Sequence, residues 1–328
     1  MTILKKPTLN DICAPIQGDL KAFSRELEKE LSSQDELIRG IHEHLLKMSG
    51  KFLRPVLAML CSRIQNKSSD QVIPLAVAIE LIHTATLVHD DIIDDSEWRR
   101  NQPSVYSKWG REISIVSGDY LYAKAFLLLA RFEDVRISQA FASCAHVMCE
   151  GEMKQIERRN NFLIPEEEYL RIIHKKTAAL FQASCMGGAY FSGTNKENIE
   201  KLGRYGYGLG MAFQIVDDCL DIVGETSTLG KTAGLDVNKN EVTLPMIYLF
   251  SSLGDAERKA LSSETQHPGT ATHQKIRALA IEKKAVSRAM QKAREYAEKA
   301  LGDIQGLPDS PAKESLGHLT DYCLERIH

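Results

Sequence analysis

The chain has 328 residues, a formal net charge of −3, 26% charged and 43% hydrophobic residues, and seven cysteines. So near-neutral a balance argues against a nucleic-acid partner or a protein held on anionic membranes. The odd cysteine number, scattered without metal spacing, reads as reduced thiols in a cytoplasmic protein, and the N-terminus lacks the apolar core of a signal peptide.

Residues 11–48 read as two amphipathic helices, with Leu20, Phe23, Leu27 and Leu31 at helical spacing and a break at Ser32-Ser33. Gly50 then opens a helix carrying Lys51 and Arg54 three residues apart on one face. The most apolar stretch, residues 72–89, contains Pro74, Glu80 and two histidines, so it reads as core and not as a membrane span. Read as a helix, residues 80–100 have apolar side chains around nearly the full circumference, which marks burial on most sides. Two aspartate pairs interrupt it, Asp90-Asp91 and Asp94-Asp95. Asp90 and Asp94 lie one turn apart, their Cβ atoms roughly 6 Å from each other. His83, two turns before Asp90, shares their face. Arg99 and Arg100 follow the acid cluster.

Residues 115–130 make a strongly apolar helix, and residues 138–157 and 165–185 two more. The last is opened by Pro165 with three glutamates and carries Lys176-Thr177. The run from Gly203 to Gly210 lacks the Lys-Ser/Thr ending of a phosphate loop and reads as close helix packing. Residues 213–223 repeat the earlier acid pattern among apolar neighbours: Asp217, Asp218 and Asp221. Residues 224–242 read as a loop covering the site, and residues 262–273 as a polar loop. From Gln274 the chain is helical, with Leu316, Leu319, Tyr322 and Ile327 packing the last turns. Apolar and polar residues nowhere alternate, and no hairpin dipeptide separates β-branched runs, so the fold class is all-α. With no long polar linker, one domain spans residues 1–328.

Ionised carboxylates inside apolar helices need cationic partners or metal. Two Asp-Asp-x-x-Asp triads, oxygen ligands only, suit a hard cation such as Mg²⁺ that completes its shell with water and substrate phosphate. Neither has the spacing of a calcium-binding loop.

The triads resemble the two aspartate-rich motifs of the trans-isoprenyl diphosphate synthases, also called polyprenyl synthetases. Gly50-Lys51-Phe52-Leu53-Arg54-Pro55 is similar to that family's Gly-Lys-x-x-Arg-Pro motif, and Arg99-Arg100 to its paired arginines. Lys176-Thr177, Gln214, Lys231 and Asp236 match later positions. The resemblance implies an antiparallel helical bundle of the isoprenoid synthase type around a central active-site cavity. It implies about three Mg²⁺ ions on Asp90, Asp91, Asp94, Asp217, Asp218 and Asp221. Lys51, Arg54, His83 and Arg100 would bind isopentenyl diphosphate; Arg99, Lys176 and Thr177 would serve the allylic diphosphate, and Gln214 and Lys231 would be substrate-binding residues. Successive head-to-tail condensations would lengthen the chain in a homodimer whose membrane contact is at most peripheral, for product release.

Short-chain members plug the tunnel with an aromatic ring four or five residues before the first motif, where this chain has Ala85 and Thr86, with Ala78 two turns on and Ile82 as a wall. The resemblance thus points to a long product of octaprenyl type for a quinone side chain, with a floor among Phe126, Leu128 and Leu129. A short-chain farnesyl or geranylgeranyl synthase is the alternative. A terpene cyclase is disfavoured by the second Asp triad and by Lys51 and Arg54, a non-catalytic subunit by two intact motifs. One departure stands out: Asn240-Glu241 replaces the Gly-Lys of many members. Either the allylic site lacks a cation there, which Glu241→Lys would restore, or Glu241 points to solvent.

Overall fold

The structure, a computed structural model, describes residues 7–67, 69–224, 239–265 and 269–325. Lys231, Asp236, Ile327 and most of the expected 224–242 loop lie outside these residues. The described residues are mainly helical, as the composition requires, and gather into two compact units.

The first unit takes residues 1–145, 180–206 and 303–319. It contains α1 (Leu9–Ile12), α2 (Gln17–Glu30), α3 (Glu36–Lys47), α4 (Leu53–Ser62), α5 (Val72–Ile93) and α6 (Val105–Leu129). Between α5 and α6 lies a ribbon of β1 (Trp98–Arg99) and β2 (Gln102–Pro103). α5 is apolar all round, so it can only be stable with neighbours on every side. It packs on α2, α4 and, most extensively, α6. Among the described helices it alone is long and apolar enough to cross a membrane, yet most of that length is buried inside the unit. Close approach of its neighbours depends on missing side chains. A Cβ on Gly118 of α6 would run into the His89 ring of α5, and one on Gly188 of α9 (Ala179–Phe191) into the Ala58 carbonyl of α4.

The second unit takes residues 146–179, 207–302 and 320–328. It holds the later turns of α7 (Val135–Arg158) and α10 (Lys196–Val223), with α8 (Glu166–Ile173), α11 (Leu244–Ser252), α12 (Asp255–Glu264), α13 (Thr270–Glu282) and much of α14 (Ala285–Gln305). α15 (Pro311–Leu324) ends in it. Its core includes Tyr169, Ile215, Val216 and Leu249, with Phe162 stacked on Phe250 at 4.6 Å between ring centroids.

Several local expectations are corrected. Gly50 does not open a helix: α4 starts at Leu53, after Phe52 takes a left-handed φ of 51°. The Phe52 ring meets Phe23 edge-on at 5.1 Å, and that burial offsets the cost of the strained backbone. α5 stops at Ile93, with Asp94 as its C-cap. The chain then reverses in a two-residue hairpin turn at Arg100 (φ 51°) and Asn101 (φ 61°). That pair of positive φ values belongs to the tight turn matching strand twist. Residues 165–185 are α8 and α9 joined by a π-helical turn, His174–Ala178. The described residues of the expected 262–273 loop are largely helical, because polar composition fits a solvated helix face as well as a loop.

Gly188→Ala should destabilise the protein by about 2–3 kcal/mol, since the new methyl group meets backbone that cannot rotate away. Denaturant melts against the parent check this; Gly18→Ala, where a Cβ meets nothing, is the control.

Candidate active site

In the first unit the acid motif lies on the last turn of α5, and its three aspartates have different surroundings. Asp91 is buried, and Arg99 donates to it from Nε at 2.8 and 3.0 Å and from Nη2 at 2.7 Å. Burial pushes the Asp91 carboxyl up and the charges of Asp90 and Asp94 add to this, while the Arg99 guanidinium pulls it back. Asp90 and Asp94 are half-buried, one turn apart, and present the hard oxygen donors that Mg²⁺ prefers. Asp91 therefore orients the arginine. Asp95 is exposed and tied to α6 by Tyr106 at 3.2 Å and Arg111 at 3.0 Å.

Because β1 hands Arg99 to Asp91, the positive-φ residue Arg100 turns the other way. Its Nη1 donates to the Met48 carbonyl at 2.7 Å, and its guanidinium lies so close to Gly50 that a Cβ there would overlap it. The glycine of the Gly-Lys-x-x-Arg-Pro motif thus makes room for an arginine from another segment. Arg54, on the first turn of α4, lies over the Phe181 ring at 4.6 Å and donates from Nη1 to Nε2 of His83 at 3.2 Å. Burial lowers the Arg54 pKa to about 10, which leaves it charged at neutral pH. His83 is held well below its ordinary value, first by burial and then by Arg54, Arg100 and Arg99, so it is a neutral acceptor. Lys51 precedes the helix on exposed backbone instead of sharing a face with Arg54.

The second unit shows the same division of labour in its own triad on α10. Asp218 is buried and accepts from Tyr169 at 2.6 Å and from Gln214 at 2.8 Å. Gln214 in turn accepts from Thr177 at 2.7 Å. Burial is the main cause that raises Asp218 to about 7, with Asp217 and Asp221 adding to it. Asp217 is half-buried and Asp221 buried, and these two carboxylates fit a magnesium ion. Lys176 and Thr177 stand on the π turn, where Lys176 pairs with Glu152 of α7. A Cβ on Gly151 would fall 2.6 Å from the Lys176 backbone nitrogen, so glycine permits this contact. π turns widen a helix locally and recur at functional sites.

Ala78, Ile82 and Ala85 are fully buried in α5, and half-buried Thr86 donates to the His83 carbonyl at 2.7 Å. Leu128 and Leu129 are also fully buried, while Phe126 stacks on Tyr122 at 6.4 Å. Sequence reasoning missed Tyr169, Glu152 and Glu80; only the isolated Glu80 within an apolar helix carried a signal.

Glu241 answers to neither expectation. It is buried and accepts from Arg159 at 2.6–2.7 Å and from Gln155 at 2.6 Å, both on or just after α7. A lysine there would face a guanidinium in a poorly solvated place. Glu241→Lys should therefore destabilise the protein by about 3–5 kcal/mol and not improve allylic binding. Combining it with Arg159→Glu should recover part of the loss in a denaturant-based double-mutant cycle.

The chain matches the family model described as polyprenyl synthetase over residues 35–282. It is 36% identical over 313 residues to heptaprenyl diphosphate synthase component 2 of Geobacillus stearothermophilus, covering 95% of this chain and 97% of that one. Octaprenyl diphosphate synthase of Haemophilus influenzae is 33% identical, with 97% of each chain covered. A crystal structure of polyprenyl synthase from Caulobacter crescentus, complexed with calcium and isoprenyl diphosphate, aligns with a TM-score of 0.93 at 32% identity and 98% of each chain. With both acid motifs in place on α5 and α10, the chain belongs to the polyprenyl synthetase family, the all-α prenyltransferases.

Proposed function

We propose that this protein adds isopentenyl diphosphate units head-to-tail to an allylic diphosphate and releases a long all-trans polyprenyl diphosphate, of octaprenyl type, for a quinone side chain. The observation that supports it best is the paired arrangement in which one aspartate of each triad is held by protein donors. Asp90 and Asp94, and Asp217 and Asp221, offer further carboxylate oxygens of the kind a hard cation takes. Magnesium ions bound there, about three by family resemblance, neutralise charge that grows on the departing diphosphate.

The chain's own residues do the rest. Arg99, fixed by Asp91, and Lys176 and Thr177, fixed by Glu152 and Gln214, hold the allylic diphosphate. Lys51, Arg54 and Arg100 hold the diphosphate of the acceptor, and neutral His83 keeps Arg54 aimed. The acceptor double bond attacks the allylic carbon as its bond to oxygen breaks. The proton then lost goes to the leaving diphosphate, since no side chain stands out as a base. Proximity of the two substrates contributes much of the acceleration. The enzyme works in the cytoplasm, where seven free cysteines stay reduced, and as a homodimer. Support for the dimer is an apolar stripe on α6 in which Val116, Tyr120 and Leu127 are 64%, 37% and 66% exposed.

Purified chain, Mg²⁺, isopentenyl diphosphate and a farnesyl primer should yield products well beyond geranylgeranyl length, read by chromatography after dephosphorylation. A parent that stops at farnesyl or geranylgeranyl length refutes the long-chain reading. Asp90→Ala and Asp217→Ala should each lower kcat by at least about a hundredfold while the melting temperature stays close to the parent's. Thr86→Tyr, at the half-buried position of the pair before the motif, should shorten the product; Ala85→Tyr should do so at a larger cost in stability, because Ala85 is fully buried.

A further inference from the structure

Glu80 has no part in the mechanism above, yet it is the acidic side chain nearest the acceptor's cations. It lies in the middle of α5, only 7% exposed. Its charged neighbours are Arg54 from α4 and Arg100 from the hairpin, both acting through space, with no hydrogen bond to Glu80 among the described residues. Arg54 is itself incompletely satisfied: its Nε is buried and has no hydrogen-bond partner among the described residues. Glu80 also lines a cavity of about 40 Å³ together with Thr84, Asp91, Arg99 and Arg100. The walls given by α2 and α3 are leucines, Leu27, Leu31, Leu45 and Leu46, and bring no titratable group. Cys144 of α7 lies near Arg54, and burial pushes its thiol up to about 12, so it stays neutral. His83 is neutral as well.

A buried carboxylate without hydrogen bonds is costly, and two guanidiniums near one another repel. Each problem offsets the other. We infer that Glu80 is a positioning residue for the acceptor's diphosphate: ionised, it keeps Arg54 and Arg100 gathered at the site, and it takes up a proton from solvent when the diphosphate binds them. The anion then supplies the negative charge the guanidiniums need, and a second, unsolvated anion beside it would oppose binding. The proposal rests on the reading of Lys51, Arg54 and Arg100 as the isopentenyl diphosphate site.

The energetics are consistent. Burial raises Glu80, the two arginines pull it back, and the balance is about 7. Diverting the arginines to a diphosphate removes the lowering influence and adds a raising one, so the bound-state value lies higher still. Between the two values the complex binds more protons than the free protein. Affinity must therefore fall as pH rises through this window, and the loss should be roughly fivefold from about pH 7 to about pH 8.

Isothermal titration with isopentenyl diphosphate alone, which cannot react without an allylic partner, tests this. Repeating it at about pH 8 in two buffers of different ionisation enthalpy counts the protons exchanged. The parent should take up between about half and one proton more than Glu80→Gln, whose affinity should vary less with pH. Equal proton counts in parent and variant overturn the proposal. If the variant fails to fold, the parent's pH series decides, and an affinity flat or rising from about pH 7 to about pH 8 overturns the proposal. Absence of any binding by the parent would refute the site assignment itself, and the proposal falls with it.

Discussion

The ion pair between Arg99 and Asp91 sets the geometry of the whole end of α5. The strand β1 ends at Arg99, and a two-residue turn that starts with Arg100 at positive φ follows at once. Once Arg99 is committed to the buried carboxylate, Arg100 has to project away from the acid motif, toward Met48 and Gly50. One contact therefore separates two adjacent cations, leaving the first beside the aspartates and the second beside Arg54. Left-handed φ values at Phe52 and Arg100 are the local cost of this arrangement. Both occur where the chain lies between regular elements.

The second triad solves the same electrostatic problem with weaker donors. Asp218 is met by a tyrosine hydroxyl and a carboxamide, whereas Asp91 is met by a guanidinium. Neutral donors compensate less of the desolvation, and Asp218 accordingly rises to about 7. The hydrogen-bond chain continues through Gln214 to Thr177 on the π turn. The acid motif of α10 is thus mechanically coupled to the π turn, and a displacement of one cannot leave the other unchanged.

Periodicity made α5 and α10 legible, because an all-round apolar helix interrupted by carboxylates at i and i+4 has few innocent explanations. Spacing alone gives the three aspartates of each motif no distinguishing mark. The hydrogen bonds to Asp91 and Asp218 come from Arg99 and Tyr169, eight and forty-nine residues away, and helical spacing carries no trace of either. The hairpin escaped notice because only Asn101 advertises a positive φ; Arg100 adopts one under tertiary constraint. Glu241 escaped for a related reason. Its neighbour Arg159 follows α7 in sequence at a distance of 82 residues, so an acid that looked misplaced in its own motif is half of a buried pair.

Charge around Arg54 also differs from what residue names suggest. Lys51, Arg54, His83 and Arg100 look like four cations converging on an anion, which would be difficult to keep together without one. Burial and three arginines remove the histidine's charge, and Glu80 opposes two of the remaining three. A cluster built this way keeps strong donors together without the full repulsion of a bare cationic patch. Preorganisation of that kind lowers the reorganisation needed at binding. It also explains why α5 tolerates a glutamate in its apolar middle: with nothing but leucine across from it, that carboxyl would be a liability, and the guanidiniums of α4 and the hairpin make it part of the site's frame.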